Sequence, residues 1–98
     1  MVALRGQYVG PNPVTGVNGI WWQKLNGSIV GMSKADLRPT ANGGTIATGT
    51  GSAAQRKATY LTNATAALQA QLGPGFVLTI TMPTDGTLDI DNVDIRDA

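Results

Sequence analysis

A chain of 98 residues is one domain at most, and a domain of that size buries only about two-thirds of the surface its unfolded form exposes, so its core is thin. Hydrophobic residues make up 42% of the chain, much of it alanine, and aromatic residues 5%; only 13% are charged where about a quarter is usual, a balance that suits burial in an assembly. Cysteine and histidine are both absent, which excludes disulfides, thiol nucleophiles, imidazole bases and the usual zinc ligand sets.

The net charge of +1 is unevenly laid out. Arg5, Lys24, Lys34, Arg38, Arg56 and Lys57 face a single acid, Asp36, in the body of the chain, whereas Asp85, Asp89, Asp91, Asp94 and Asp97 crowd the last stretch beside Arg96. An acidic tail of this kind docks on the basic body of a neighbouring copy or folds back on its own. The six body cations are too dispersed for a phosphate-tracking stripe, so direct nucleic-acid contact is not expected. No apolar run approaches signal-peptide or membrane-span length, and synthesis in the cytoplasm is the expectation.

In chain order, residues 1–19 carry prolines, glycines and asparagines without a period of either 2 or 3.6, and read as an extended arm laid along another subunit or across the domain's own surface. Asn26-Gly27 between two apolar runs predicts a two-residue hairpin, with Leu25 facing Ser28, Trp22 facing Gly31 and Trp21 facing Met32. The adjacent tryptophans point to opposite faces, so one enters a core and the other needs a cover: an interface, or the arm and helix of the same chain. Lys34 to Gly44 is a loop, and Thr45 to Thr48 a short strand.

The clearest helix runs from Ala53 to Leu72, with Ala54, Ala58, Leu61, Thr65, Leu68 and Leu72 as its apolar stripe and Gly73-Pro74 as its stop. Phe76 to Met82 is the best strand. In "LDIDNVDI" the apolar alternation of Leu88 and Ile90 shifts phase to Val93 and Ile95, which predicts a bulged strand or a strand with an extended tail. The fold class is therefore α+β: an arm over 1–19, then a single small domain over 20–98 with a hairpin, one helix (about 53–72) packed on a small antiparallel sheet, and an acidic C-terminal strand or tail.

Candidate chemistry is sparse. Gly49, Gly51 and Ala54 form a Gly-x-Gly-x-x-Ala turn between a predicted strand and a helix, the context of a dinucleotide-binding loop. The acid that such a site needs about 20 residues further on is missing, because Asp85 lies too far away. Ser52 and Gln55 instead spell a Ser-x-x-Gln capping box, worth about 1 kcal/mol at the cap. An anion on the first turn, near Arg56 and Lys57, is the lesser reading, and a cofactor is not expected. The aspartates of the tail could coordinate calcium but lack the EF-hand pattern, and a solvated acidic edge is the plainer account. Ser28, Ser33 and Ser52 have no histidine to activate them, so an enzyme is not expected.

Taken together, the arm, the tryptophan-bearing hairpin, the small-residue helix and the threonine- and glycine-rich strands resemble the small virion structural proteins of bacteriophages, in composition and layout across the full chain. The resemblance implies a capsid cement or decoration protein located in the virion, whose partners are copies of itself and a major capsid protein. Its anchors would be Tyr8, Trp21, Trp22 and Met32, with Leu61, Leu68 and Leu72 on the helix. Two other readings are a tail, neck or head-fibre component assembled through its helix, and a small cytosolic anion- or nucleotide-binding module built on the Gly49-Gly51 turn.

Overall fold

The computed structural model describes residues 4–97; the side chains of Arg5 and Asp97 and all of residues 1–3 and 98, which include the start of the expected arm, lie outside the described residues. The fold is mixed α+β, with one helix packed against two small antiparallel sheets. Strands β1 (Leu4–Pro11), β2 (Asn18–Lys24) and β3 (Ile29–Ser33) form the first sheet in sequential order. Helix α1 (Ala53–Leu72) follows, and then β4 (Phe76–Thr81) and β5 (Asn92–Asp97) form the second sheet.

The segment read as an arm is extended, but from Leu4 to Pro11 it is an edge strand antiparallel to β2, with Tyr8 opposite Trp21 and Val9 opposite Ile20. Its link to β2 is ordered by Asn12, a buried polar side chain whose Oδ1 accepts from the amides of Val14 (2.8 Å) and Thr15 (3.1 Å). An Asx turn of this kind holds a loop that has almost no apolar contacts of its own.

The β2–β3 hairpin differs by one residue from the expected register. Trp21 faces Gly31 and Trp22 faces Val30, because the loop has three residues rather than two. Gly27 N–H donates to Lys24 O and Lys24 N–H to Ser28 O, both at 2.9 Å, while Gly27 alone has positive φ, at 90°. That is a type I turn closed by a left-handed glycine. Asn26 stays out of the left-handed region and spends its Oδ1 on Ser28, accepting from N–H (3.0 Å) and from Oγ (2.7 Å). The shift matters on the sheet: Gly31 has φ of 141°, and a Cβ there would collide with the β2 backbone at Ile20 and Trp21.

Helix α1 has its expected ends, but its buried stripe is Tyr60, Ala64, Leu68 and Leu72, four-residue steps along one face. Ala54, Ala58 and Leu61 face solvent, since at 3.6 residues per turn they lie roughly 100–160° around the helix from the Tyr60 stripe. The predicted strand at Thr45–Thr48 is reduced to a single parallel bridge between Ile46 and Pro39, although Ile46 itself is buried. Leu37 and Ile46 form a flap over the helix face. Tyr60 Oη donates to Leu37 O at 2.7 Å, and Asn63 Nδ2 donates to Ala47 O at 2.8 Å.

In the second sheet Leu78 faces Ile95 and Ile80 faces Val93 on the inner side, while Val77, Thr79 and Thr81 face Arg96, Asp94 and Asn92 on the outer side. Only the second half of "LDIDNVDI" is strand; Ile90, before the phase shift, enters the core from a bend. Ile20, Trp22, Leu37, Tyr60, Leu68, Leu72 and Val93 are the largest fully buried side chains. Trp22 Nε1 is buried without a hydrogen-bond partner, which costs about 1–3 kcal/mol against the large apolar area the ring covers.

Burial pushes the Tyr60 phenol up to about 12, with the negative charge of Asp89 adding to the shift. In the unfolded chain the phenol ionises near its ordinary value of 10, so the contribution of the neutral, hydrogen-bonded form is fully present below about pH 10 and is lost towards about pH 12. Urea titrations of the wild type and Tyr60→Phe should therefore give a stability difference that is constant at neutral pH and shrinks across that alkaline window. A difference independent of pH would contradict the buried phenol.

Candidate interaction surface

The outer face of the first sheet is the part of the fold with the most unusual chemistry. Tyr8, Trp21 and Gly31 lie side by side across the three strands, and glycines flank them at Gly6, Gly10 and Gly19. Each ring lies over a glycine: a Cβ at Gly6 would sit 3.6 Å from Tyr8 Oη, and one at Gly19 only 2.9 Å from the Trp21 indole. The rings cover backbone that glycine leaves bare, a known way of compensating glycines in sheets. They are held by hydrogen bonds at their polar ends, Tyr8 Oη to Gln23 Oε1 (3.2 Å) and Trp21 Nε1 to Val17 O (3.0 Å). Both rings are half-buried, and no described element packs on this face.

The link from β1 to β2 at the end of this face carries two exposed apolar side chains, Val14 and Val17, at 79% and 47%, whereas Val9, 56% exposed, pairs with Ile20 and lies on the other face of the edge strand. Scattered surface valines are ordinary, but Val17 sits directly by the rings, since its carbonyl accepts from the Trp21 indole. The pairing of β1 with β2 brings Tyr8 and Trp21 side by side on this face.

The candidate anchors fall on both sides of the sheet. Trp22, Leu68 and Leu72 are buried in the chain's own core, and Met32, opposite Ile20 on the inner face, packs partly buried against it. An anchor must be accessible to fill a groove on a partner; Tyr8 and Trp21 are, and so is Leu61, which is 37% exposed on the far side of the helix.

At the Gly49-Gly51 turn, Ser52 Oγ accepts from Gln55 N–H (3.2 Å) and Gln55 Oε1 accepts from Ser52 N–H (2.8 Å). Gly51, at φ of 117°, is needed there sterically, because a Cβ would run into the Gln55 carboxamide. The side chains of Ser52 and Gln55 thus take up amides that a bound phosphate would use.

Within the acidic segment, Asp89 forms an ion pair with Lys34 at 3.0 Å, and Lys34 Nζ also donates to Ile90 O at 2.9 Å. Partial burial raises the Asp89 carboxyl, but hydrogen bonds from the Ile90 amide and Lys34, with the Lys34 and Arg38 charges, bring it below its ordinary value. The exposed Asp85 carboxyl is lowered by its hydrogen bonds to Thr87. The tail therefore folds back on its own body at this point. A shallow cleft of about 220 Å³ lies beside the pair, between Arg38, Pro39, Asn42 and the Thr87–Asp89 stretch. Among the described residues no group of three or more acids is placed to hold a metal ion, and no helix is long and apolar enough to cross a membrane.

No protein-family model matches the chain, and neither a curated protein nor a solved structure matches it significantly. The reading of the surface therefore rests on its own geometry.

The two tryptophans provide a direct check on that geometry. In Trp22→Phe the remaining indole, Trp21, should be readily quenched by iodide, whereas in Trp21→Phe the remaining Trp22 should be blue-shifted and protected. Trp22→Ala should cost about 3–5 kcal/mol in denaturant titration, the usual range for emptying a large core site. Trp21→Ala should cost well under half of that.

Proposed function

We propose that this protein is a non-enzymatic structural component of a viral particle, a capsid cement or decoration protein of the bacteriophage type that straps neighbouring capsid subunits. The observation that carries the reading is the uncovered outer face of the first sheet, where the Tyr8 and Trp21 rings lie open next to the β1–β2 link with its exposed Val14 and Val17. Large aromatic side chains with a polar tip are the residues that most often anchor protein interfaces, because they bury much area at little entropic cost. The thin core and low charge agree with a chain whose stability is completed by its neighbours.

The position of the helix favours this reading over a fibre or ring assembled through α1. The stripe of Tyr60, Ala64, Leu68 and Leu72 is occupied by the chain's own sheets and is not free to form a bundle. The capping box at Ser52 and Gln55 gives the Gly49-Gly51 turn a sufficient structural reason, which weakens the nucleotide-binding reading.

The test is to band particles on a density gradient from a lysate in which the gene is expressed from its native genome, and to quantify the chain by mass spectrometry. It should co-band with the major capsid protein in a fixed ratio, and Trp21→Ala with Tyr8→Ala should lower that ratio several-fold. Recovery only from the soluble fraction would contradict the proposal.

A further inference from the structure

Two sheets of three and two strands leave four strand edges, and the described residues protect three of them. The β1 edge has a register irregularity between Leu4 and Gly6, a distorted Gly10 at φ of 136° and Pro11 at its end. The β3 edge is the shortest, at five residues, and carries Gly31 at φ of 141°. On the outer edge of β5, the Val93 carbonyl accepts from Gln7 Nε2 at 2.8 Å, and Asp94 and Arg96 add charge to the strand. Bulges, prolines, charges and short length are the devices by which proteins keep sheet edges from pairing.

Strand β4 has none of these devices. "FVLTIT" is uncharged, free of glycine and proline, and made of β-branched, aromatic and leucine side chains, and its register with β5 is unbroken from Phe76 to Thr81. Thr81 O takes the Asp91 amide at 2.8 Å and so faces the β5 side. Alternation along the strand then turns the amide and carbonyl groups of Phe76, Leu78 and Ile80 to the opposite edge. No described group hydrogen-bonds to them there. A row of unpaired main-chain donors and acceptors is a specific demand, met by another extended strand.

We infer that the β4 edge is a self-association seam, in which β4 pairs antiparallel with β4 of a second copy about a two-fold axis through Leu78. This register is the one that satisfies every outward group: Leu78 exchanges hydrogen bonds with its own counterpart, and Phe76 with Ile80 of the second copy. It also preserves the faces. Phe76, Leu78 and Ile80 continue the inner apolar layer across both copies, and Val77 meets Thr79 of the second copy on the outer side, a favourable β-branched pair. No like charges meet at the seam, because β4 has no charge and Asp94 and Arg96 lie one strand away. The product is a four-stranded sheet in place of two two-stranded ones, which are marginal by themselves. The seam lies on the second sheet and uses neither Tyr8 nor Trp21, so it stands or falls independently of a place in a particle.

The experiment is sedimentation equilibrium of the isolated chain over a concentration series, together with two variants. The wild type should show a monomer–dimer equilibrium. V77K/T79K places lysines opposite one another across the seam while leaving them on the solvent face of each monomer; it should lose the dimer and keep the near-ultraviolet circular dichroism of buried Trp22. V77C/T79C sets the thiol of one substituted position opposite that of the other in the second copy, as a non-hydrogen-bonded pair with Cα atoms about 4.5 Å apart, within disulfide reach. As the chain has no other cysteine, mild oxidation should give a covalent dimer, and this result decides the matter if the lysine variant does not fold. A wild type that is monomeric throughout with no covalent dimer, or a dimer that persists in a folded V77K/T79K, would overturn the seam.

Discussion

Everything in this fold depends on one face of one helix. Neither sheet can bury its inner side alone: the first is only three strands, and the second is a single pair. Helix α1 packs on both, with Tyr60 and Ala64 under the flap at Leu37 and Ile46, and Leu68 and Leu72 further along the same stripe. The Tyr60–Leu37 hydrogen bond lets a polar atom end inside this core without being left unpaired. Secondary ties, Gln7 to Val93 between the sheets and Lys34 to Asp89 and Ile90 at the rim, then fix the sheets against each other.

This arrangement was legible in the sequence where its causes are local. The ends of α1 could be read because Ser52, Gln55 and Gly73-Pro74 act within a few residues, and β4 because six strong strand formers are consecutive. The first half of the helix stripe is not legible for a physical reason: alanines mark a face only weakly, and Ala54 and Ala58 lie on the side of the helix away from the Tyr60 stripe. Tyr60, which takes the buried position, is amphipathic and does not announce itself by periodicity. The hairpin slipped by one because Asn-Gly is compatible with two loops, and the choice between them was made by the Asn26 side chain bonding Ser28. Strand β1 was unreadable as a strand since its glycines and proline erase the period and its partner is chosen by long-range pairing. The open pair of Tyr8 and Trp21 is for the same reason only half visible: both can be named as anchors, but their common face exists only once β1 pairs with β2.

Glycine and aromatic residues divide the work on the first sheet. Glycines permit the close approach of β2 and β3 at Gly31 and of the Trp21 ring at Gly19, and the rings restore the cover the glycines give up. The cost is an apolar outer face. In the second sheet a similar economy leaves β4 with strong strand formers on an open edge. Both features place the molecule's incompleteness at its surface, on different sheets.

The central claim, that the sheets share one core through α1, is most directly tested by native-state hydrogen exchange across a denaturant series. If the helix face joins them, the hydrogen-bonded amides of β2, of α1 around Leu68 and of the β4–β5 ladder should merge into a single opening with one free energy and one denaturant dependence. Protection that survives in one sheet after the helix and the other sheet have exchanged would contradict it.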